Sequence, residues 1–115
     1  MKADFSENTA INQKLLSALG LCRKAGGLIF GTPLICDALK SAKKPILVLA
    51  AFDNSPNTAK RLRDRCAFYS VELKELAMSG DALAHAIGKS GKISAVAITD
   101  ANLCRLVQNA MQAKQ

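Results

Sequence analysis

Aromatic residues are scarce: this 115-residue sequence holds four Phe, one Tyr and no Trp. So few rings argue against an aromatic stacking platform for single-stranded nucleic acid, which needs rings at the surface. Cysteine is sparse as well. Cys22, Cys36, Cys66 and Cys104 are scattered, with no pair at metal-ligand spacing, so neither a zinc site nor a disulfide framework is expected. Each lies in an apolar or helical context, where a free Cys acts as a small hydrophobe, and a reducing cytoplasm fits that usage. No stretch approaches the roughly 20 apolar residues of a membrane span, so no membrane partner is expected. Met1 to Asn12 contains acids and no hydrophobic run, which is not the pattern of a signal peptide.

What is present is aliphatic and basic. Half the residues are hydrophobic, mostly Leu, Ile, Val and Ala, enough for a core without a metal or cross-links. The length fits one domain spanning residues 1–115. Lys and Arg number 16 against 9 acids, a formal charge of +7, and a surplus of that size is the footprint of a polyanionic partner.

Helix and strand signals alternate from end to end. A first helix is expected from Asn8 or Thr9 to about Arg23, where Ile11, Leu15, Leu19 and Cys22 recur at helical spacing before Gly26-Gly27. Leu28-Ile29-Phe30 reads as a very short strand leading into Gly31-Thr32-Pro33. Thr32 has the chemistry of an N-cap and Pro33 that of a first helical residue. The helix that follows carries Ile35, Ala38, Leu39 and Ala42 on one stripe and ends in Lys43-Lys44-Pro45.

Ile46 to Phe52 is an unbroken apolar run of seven, the mark of a strand covered on both faces. Asp53-Asn54-Ser55-Pro56 repeats the cap-plus-proline device and opens a third helix to about Ala67. Phe68 to Lys74 alternates between apolar and polar residues, as an edge strand with one wet face would. A short helix from Gly80 to Ile87, the loop Gly88-Lys89-Ser90-Gly91-Lys92, a buried strand from Ile93 to Ile98 and a final helix opened by Asp100 complete the chain. The pattern implies an α/β fold with a small sheet between helix layers, its strand order left open.

Most enzymatic motifs fail on inspection. Gly88-Lys89-Ser90 suggests a phosphate loop, but the glycine required five residues earlier is Leu83, and the loop follows a helix rather than a strand. His85, the sole histidine, has no Ser or Cys motif around it. Asp53 and Asp100 follow strands but also precede helices, where a carboxylate caps orphan N–H groups. No catalytic residue, cofactor or metal site is expected. The cations fall instead into groups: Arg23 and Lys24; Lys40, Lys43 and Lys44; Lys89 and Lys92. Lys60 to Arg65 form a fourth set, spread around a helix and read as a solvated face.

The ordered set Leu19-Gly20-Leu21-Cys22-Arg23-Lys24-Ala25-Gly26, Gly31-Thr32, Ala38-Leu39-Lys40, Thr58-Ala59-Lys60 and Leu83-Ala84-His85-Ala86-Ile87-Gly88-Lys89 resembles the kink-turn-binding ribosomal protein family. The likeness runs from about Lys14 to Ala110 and is nearest to its small bacterial, ribosomal-protein-like members. It implies a three-layer α/β/α sandwich with a mixed four-stranded sheet, and non-catalytic binding of structured RNA, ribosomal or kink-turn-like. The RNA would meet Gly31 to Asp37 and Gly88 to Ser94, where an apolar loop residue covers an extruded base. Under that resemblance the RNA-binding residues are Arg23, Lys24, Gly31, Thr32, Pro33, Leu34, Lys40, Lys43, Gly88, Lys89, Lys92, Ile93 and Ser94.

One departure matters. After Gly-Thr, the family's kink-turn binders usually carry Asn, then Glu or Gln, with a Lys further along the helix; here Pro33, Leu34 and Asp37 stand at those positions. Pro33 offers no donor, Leu34 cannot hydrogen-bond a guanine edge, and Asp37 is an anion. A lost hydrogen bond to a charged group is worth roughly 1.5–3 kcal/mol, so two or three would weaken binding about a hundredfold or more. The alternative expectation is a protein-interaction module of a ribosome-associated complex, with ribosomal proteins as partners.

Overall fold

In this computed structural model the backbone is described for residues 2–111 and the side chains for 13–111. The elements follow the alternating order: α1 (Lys2–Lys24), β1 (Leu28–Phe30), α2 (Thr32–Lys40), β2 (Leu47–Ala50), α3 (Pro56–Phe68), β3 (Glu72–Glu75), α4 (Gly80–Ala86), β4 (Ala95–Ile98) and α5 (Ala101–Met111). The four strands make one mixed sheet in the order β1-β4-β2-β3. β4 runs antiparallel to both its neighbours, while β2 and β3 are parallel. β1 and β2 therefore point the same way, and the turns after β1, β2 and β3 gather at one edge together with the loop that enters β4.

Alternation along the strands divides the interior in two. Leu47, Leu49, Val96 and Ile98 face a core closed by α1, α4 and α5, which supply Leu15, Leu19, Cys22, Leu83, Cys104 and Val107. Val48, Ala50, Ala95 and Ala97 face the opposite way, onto Ile35 and Leu39 of α2 and Leu62 and Cys66 of α3. Both central strands are buried at every position, which is why their sequences read as continuous apolar runs. The small alanines of the second face let α2 and α3 approach closely. The result is the expected α/β/α sandwich. No described helix is long and apolar enough to cross a membrane.

Several expected boundaries shift. α1 begins at Lys2 rather than at Asn8 or Thr9. No Gly or Pro precedes Gly20, so nothing in the sequence compels a helix start at those polar residues. Phe68 closes α3 instead of opening β3, because the helix takes the first residue of the alternating stretch, a turn follows, and the strand begins only at Glu72. β3 is nonetheless an edge strand, as its alternation implied. At α2, Thr32 is not the N-cap. Gly31 takes that place with φ 89°, a region L-residues rarely adopt, and no side chain caps the helix.

Candidate nucleic-acid interface

The carboxyl edge of the sheet holds an open cleft of about 720 Å³, between the β1–α2 turn, the β2–α3 turn and the α4–β4 loop. A crevice outside the carboxyl ends of strands is where open α/β sheets place ligands. Ser94 joins its walls. Its carbonyl oxygen accepts from the Ala51 N–H at 2.9 Å and from the Asn54 Nδ2 at 3.0 Å. Its hydroxyl shares a 2.7 Å hydrogen bond with the Thr32 hydroxyl, so the side chain expected to cap α2 bridges two loops instead. The Gly31 N–H donates to the Ala95 carbonyl at 3.0 Å, fixing the turn against the start of β4.

Asp53 closes the back of the cleft. Its Oδ1 accepts the Gly80 N–H at 2.9 Å and its Oδ2 lies 3.7 Å from the Lys92 Nζ. Asp53 thus serves a helix start, but that of α4; at α3 the cap is Ser55, whose hydroxyl accepts from the Thr58 N–H. Asp100 caps its own helix, accepting from the Leu103 N–H at 3.0 Å. Gly80 must be small here, since a Cβ would stand 2.9 Å from the Ile93 carbonyl oxygen.

At the mouth lies Phe30. The Arg23 guanidinium sits over its ring, 5.2 Å from the centroid, and the Lys89 Nζ lies over the ring at 5.4 Å. Arg23 also donates through Nη1 to the Ile87 carbonyl at 2.6 Å, which ties the end of α1 to the end of α4. Two cations are thereby held over one ring at the entrance.

Of the residues singled out in the sequence, Gly31, Thr32, Pro33, Leu34, Lys89, Lys92, Ile93 and Ser94 line this cleft. Arg23 reaches it through Phe30, and Gly88 gives the late loop its turn with φ 78°. Pro33 and Leu34 are exposed, Leu34 by 55%. Lys24 stands on the last turn of α1 and does not line the cleft. Lys40 and Lys43 are not brought there either. α2 starts at the cleft and runs away from it for nine residues, so its last turn lies roughly 13 Å off. Ser90, within the expected Gly88 to Ser94 segment, lines it too, and so do Phe30, Asp53, Asn54, Ser55, Thr58 and Gly80, which were not expected to. For Asp53, Asn54, Ser55 and Thr58 the signal was the cap-plus-proline turn after β2, which shares the carboxyl edge with Gly31 once the two strands run parallel; Phe30 and Gly80 had none.

The thiols add no chemistry to the cleft. All four cysteines are free and buried in the cores, and burial raises the pKa of Cys22, Cys104 and Cys66, the last to about 11. A thiol that stays protonated is a poor nucleophile and a poor metal ligand.

Residues 13–107 match the profile of the ribosomal protein L7Ae/L30e/S12e/Gadd45 family. The chain belongs to that family. Two curated relatives, both named RNA-binding protein YlxQ, fit within it. The one from Bacillus subtilis (strain 168) is 37% identical over 82 residues, covering 71% of this chain and 79% of its own. The one from Enterococcus faecium is 34% identical over 86 residues, covering 75% and 82%. Among solved structures, a Bacillus halodurans protein described as of unknown function superposes with a TM-score of 0.76 at 28% identity, covering 86% of this chain and 97% of that one. A Giardia lamblia 15.5kD RNA binding protein shares the fold at TM-score 0.73 and 19% identity, covering 90% and 87%. In this L7Ae-family member, the Gly31 turn and the late loop face one another across the cleft.

Proposed function

We propose that the protein binds structured RNA, ribosomal or kink-turn-like, in the cleft at the carboxyl edge of the sheet, as a single non-catalytic domain working in the cytoplasm. The observation that carries the reading is the joining of two loops through Ser94, which presents Lys89 and Lys92 beside a glycine turn where a phosphate backbone can approach closely. Family membership and relatives named as RNA-binding proteins support it. RNA is read mainly through shape and splayed bases, and an open cleft with cations held at its mouth suits a bent duplex.

Specificity differs from the family's kink-turn readers because Pro33 and Leu34 present apolar surface where polar base contacts would form. Gel-shift titration against kink-turn and ribosomal RNA across a salt series tests the reading. Log affinity falls linearly with log salt, and the Lys89→Ala/Lys92→Ala pair makes the slope shallower by about 1.5. Binding that is undetectable, or indifferent to salt, overturns it.

The exposure of Leu34 favours a second reading, a protein-interaction module of a ribosome-associated complex that has left kink-turn binding. The double change Pro33→Asn/Leu34→Glu separates the two. Kink-turn affinity created where the natural protein has none supports the second reading; affinity merely adjusted supports the first.

A further inference from the structure

A second cationic surface lies away from the cleft. α2 and α3 both start at the carboxyl edge of the sheet and pack on the same face, so both end toward the opposite edge. There Lys44, in the loop that follows α2, meets the end of α3, its Nζ 5.5 Å from the ring centroid of Tyr69, the residue that caps the helix. Phe68 projects beside them and is 77% exposed, more than any other large hydrophobic side chain among the described residues. Its ring meets Tyr69 edge-on, with centroids 4.8 Å apart and planes at 86°.

Helix geometry explains the orientation. Leu62 and Cys66 mark the buried stripe of α3, and a residue two places after Cys66 lies about 200° around the helix, away from the core. The helix end is then locked. The Ser70 N–H donates to the Ala67 carbonyl and the Val71 N–H to the Cys66 carbonyl, closing a Schellman turn. Such a turn favours Gly at its left-handed position, yet Ser70 holds φ 58° there. The chain thus keeps a disfavoured backbone at the point that sets the Phe68–Tyr69 pair.

The surrounding charge selects the partner. Asp64, one turn before Phe68, is tied to Lys60 at 2.6 Å, and that hydrogen bond holds its carboxyl below the usual range. Asp37 lies one turn before Lys40 on α2. Glu72, at the start of β3 on the same edge, faces the Lys74 Nζ at 3.7 Å. The other charged groups carried by the ends of α2 and α3, Lys40, Lys43, Lys44 and Arg65, are positive. An apolar protein surface laid over Phe68 would strip water from these cations and leave them uncompensated, whereas phosphates compensate them. An exposed ring among cations matches the chemistry of an unpaired base and its flanking phosphates.

We propose that the common end of α2 and α3 binds single-stranded nucleic acid through one exposed ring, rather than the platform of several rings that the scarcity of aromatics argues against, with Phe68 stacking on an unpaired base while Lys43, Lys44 and Arg65 contact the phosphates on either side. The site is separate from the cleft, and its test does not depend on what the cleft binds. Tyr69 is the sole tyrosine in a chain without Trp, so intrinsic emission reports directly on this end.

The full chain is titrated with oligouridylate and, in parallel, oligothymidylate of about ten nucleotides, within the span such surfaces engage. Quenching of Tyr69 emission is expected with at least one oligomer, weakening as salt rises. Phe68→Ala reduces the affinity about tenfold, within the range measured for one lost base stack, and Phe68→Trp restores it. The Lys89→Ala/Lys92→Ala pair in the cleft leaves this binding unchanged. A response to only one oligomer identifies which nucleic acid the site takes. No quenching with either, equal affinity in Phe68→Ala, or loss that follows the cleft pair overturns the proposal. So does Phe68-dependent self-association in sedimentation without oligomer binding, which would make this end a contact between copies of the chain.

Discussion

The cleft and the far end of the α2/α3 layer are built from similar residue types and held in different ways. At the cleft, polar side chains bond to one another and to backbone: Thr32 to Ser94, Asn54 to the Ser94 carbonyl, Asp53 to the Gly80 N–H and toward Lys92. At the far end, Lys44 donates to the Ser41 carbonyl on its own loop and leans over Tyr69, while Lys40 and Lys43 stand exposed on the surface. The difference follows from topology. Four separate connections converge at the carboxyl edge, and each brings backbone groups that need partners; the far end is formed by two helix termini that largely satisfy themselves. Polar residues at the cleft therefore carry stability, and those at the far end carry little.

Asp53→Ala tests that contrast most severely. It removes a charged acceptor from a partly buried N–H at the start of α4 and releases Lys92. A hydrogen bond to a charged group is worth roughly 1.5–3 kcal/mol, so the midpoint of urea unfolding should fall by an amount equivalent to about 2 kcal/mol. Hydrogen exchange at Gly80 and Ile93 should quicken alongside it. A change no larger than that of a surface substitution would erase the distinction between the two ends.

Ser94→Ala sharpens the same point at smaller scale. The backbone acceptor of Ser94 stays, so Asn54 and Ala51 keep their bonds, and only the Thr32 hydroxyl loses its partner. The expected cost is about 1 kcal/mol, the net value of one neutral hydrogen bond. Thr32→Ala should cost about the same, and the double variant little more than either single one, because both remove one interaction.

What the sequence disclosed tracks how local each feature is. The Gly31-Thr32-Pro33 turn was legible because a glycine, a hydroxyl and a proline in that order punctuate a helix start whatever surrounds them. The continuous runs around Leu47 to Ala50 and Ala95 to Ile98 announced central strands, and both are central. The role of Thr32 was not legible, since its hydroxyl answers to Ser94, 62 residues away. Asp53 was recognised as a capping residue, but the helix it serves begins 27 residues on. Phe30 drew no notice as a lone ring in a short strand, because its significance depends on Arg23 and Lys89 arriving from different elements. The family resemblance set Lys40 and Lys43 with the cleft, and the direction and length of α2 separate them from it. Phe68 was read into the next strand because Tyr69, Val71 and Leu73 do alternate. Only the helix end at Tyr69 and Ser70 shows where the change of period falls.

Ser70→Gly examines the far end through its backbone rather than its charges. A residue with a Cβ in the left-handed region carries roughly 1–2 kcal/mol of strain, and glycine removes it while adding freedom to the unfolded chain worth about 0.4–1 kcal/mol. The balance predicts a gain of about 0.5 kcal/mol and a correspondingly higher unfolding midpoint. A loss instead would mean that the Ser70 side chain stabilises the turn in a way its φ does not reveal.

The smallest effect is expected from Lys43→Ala/Lys44→Ala. Both side chains are exposed, and substitutions of this kind usually stay within about 0.5 kcal/mol. Lys44 adds one donor to a carbonyl at the end of α2, but water can replace it there, and the Ser41 N–H and hydroxyl still bond to the Ala38 carbonyl. The pair should unfold at a urea concentration close to that of the natural chain. Surface cations that can be removed at so little cost in stability do not owe their place to folding. A loss of stability comparable to that of Asp53→Ala would show that the two ends are held together by the same means.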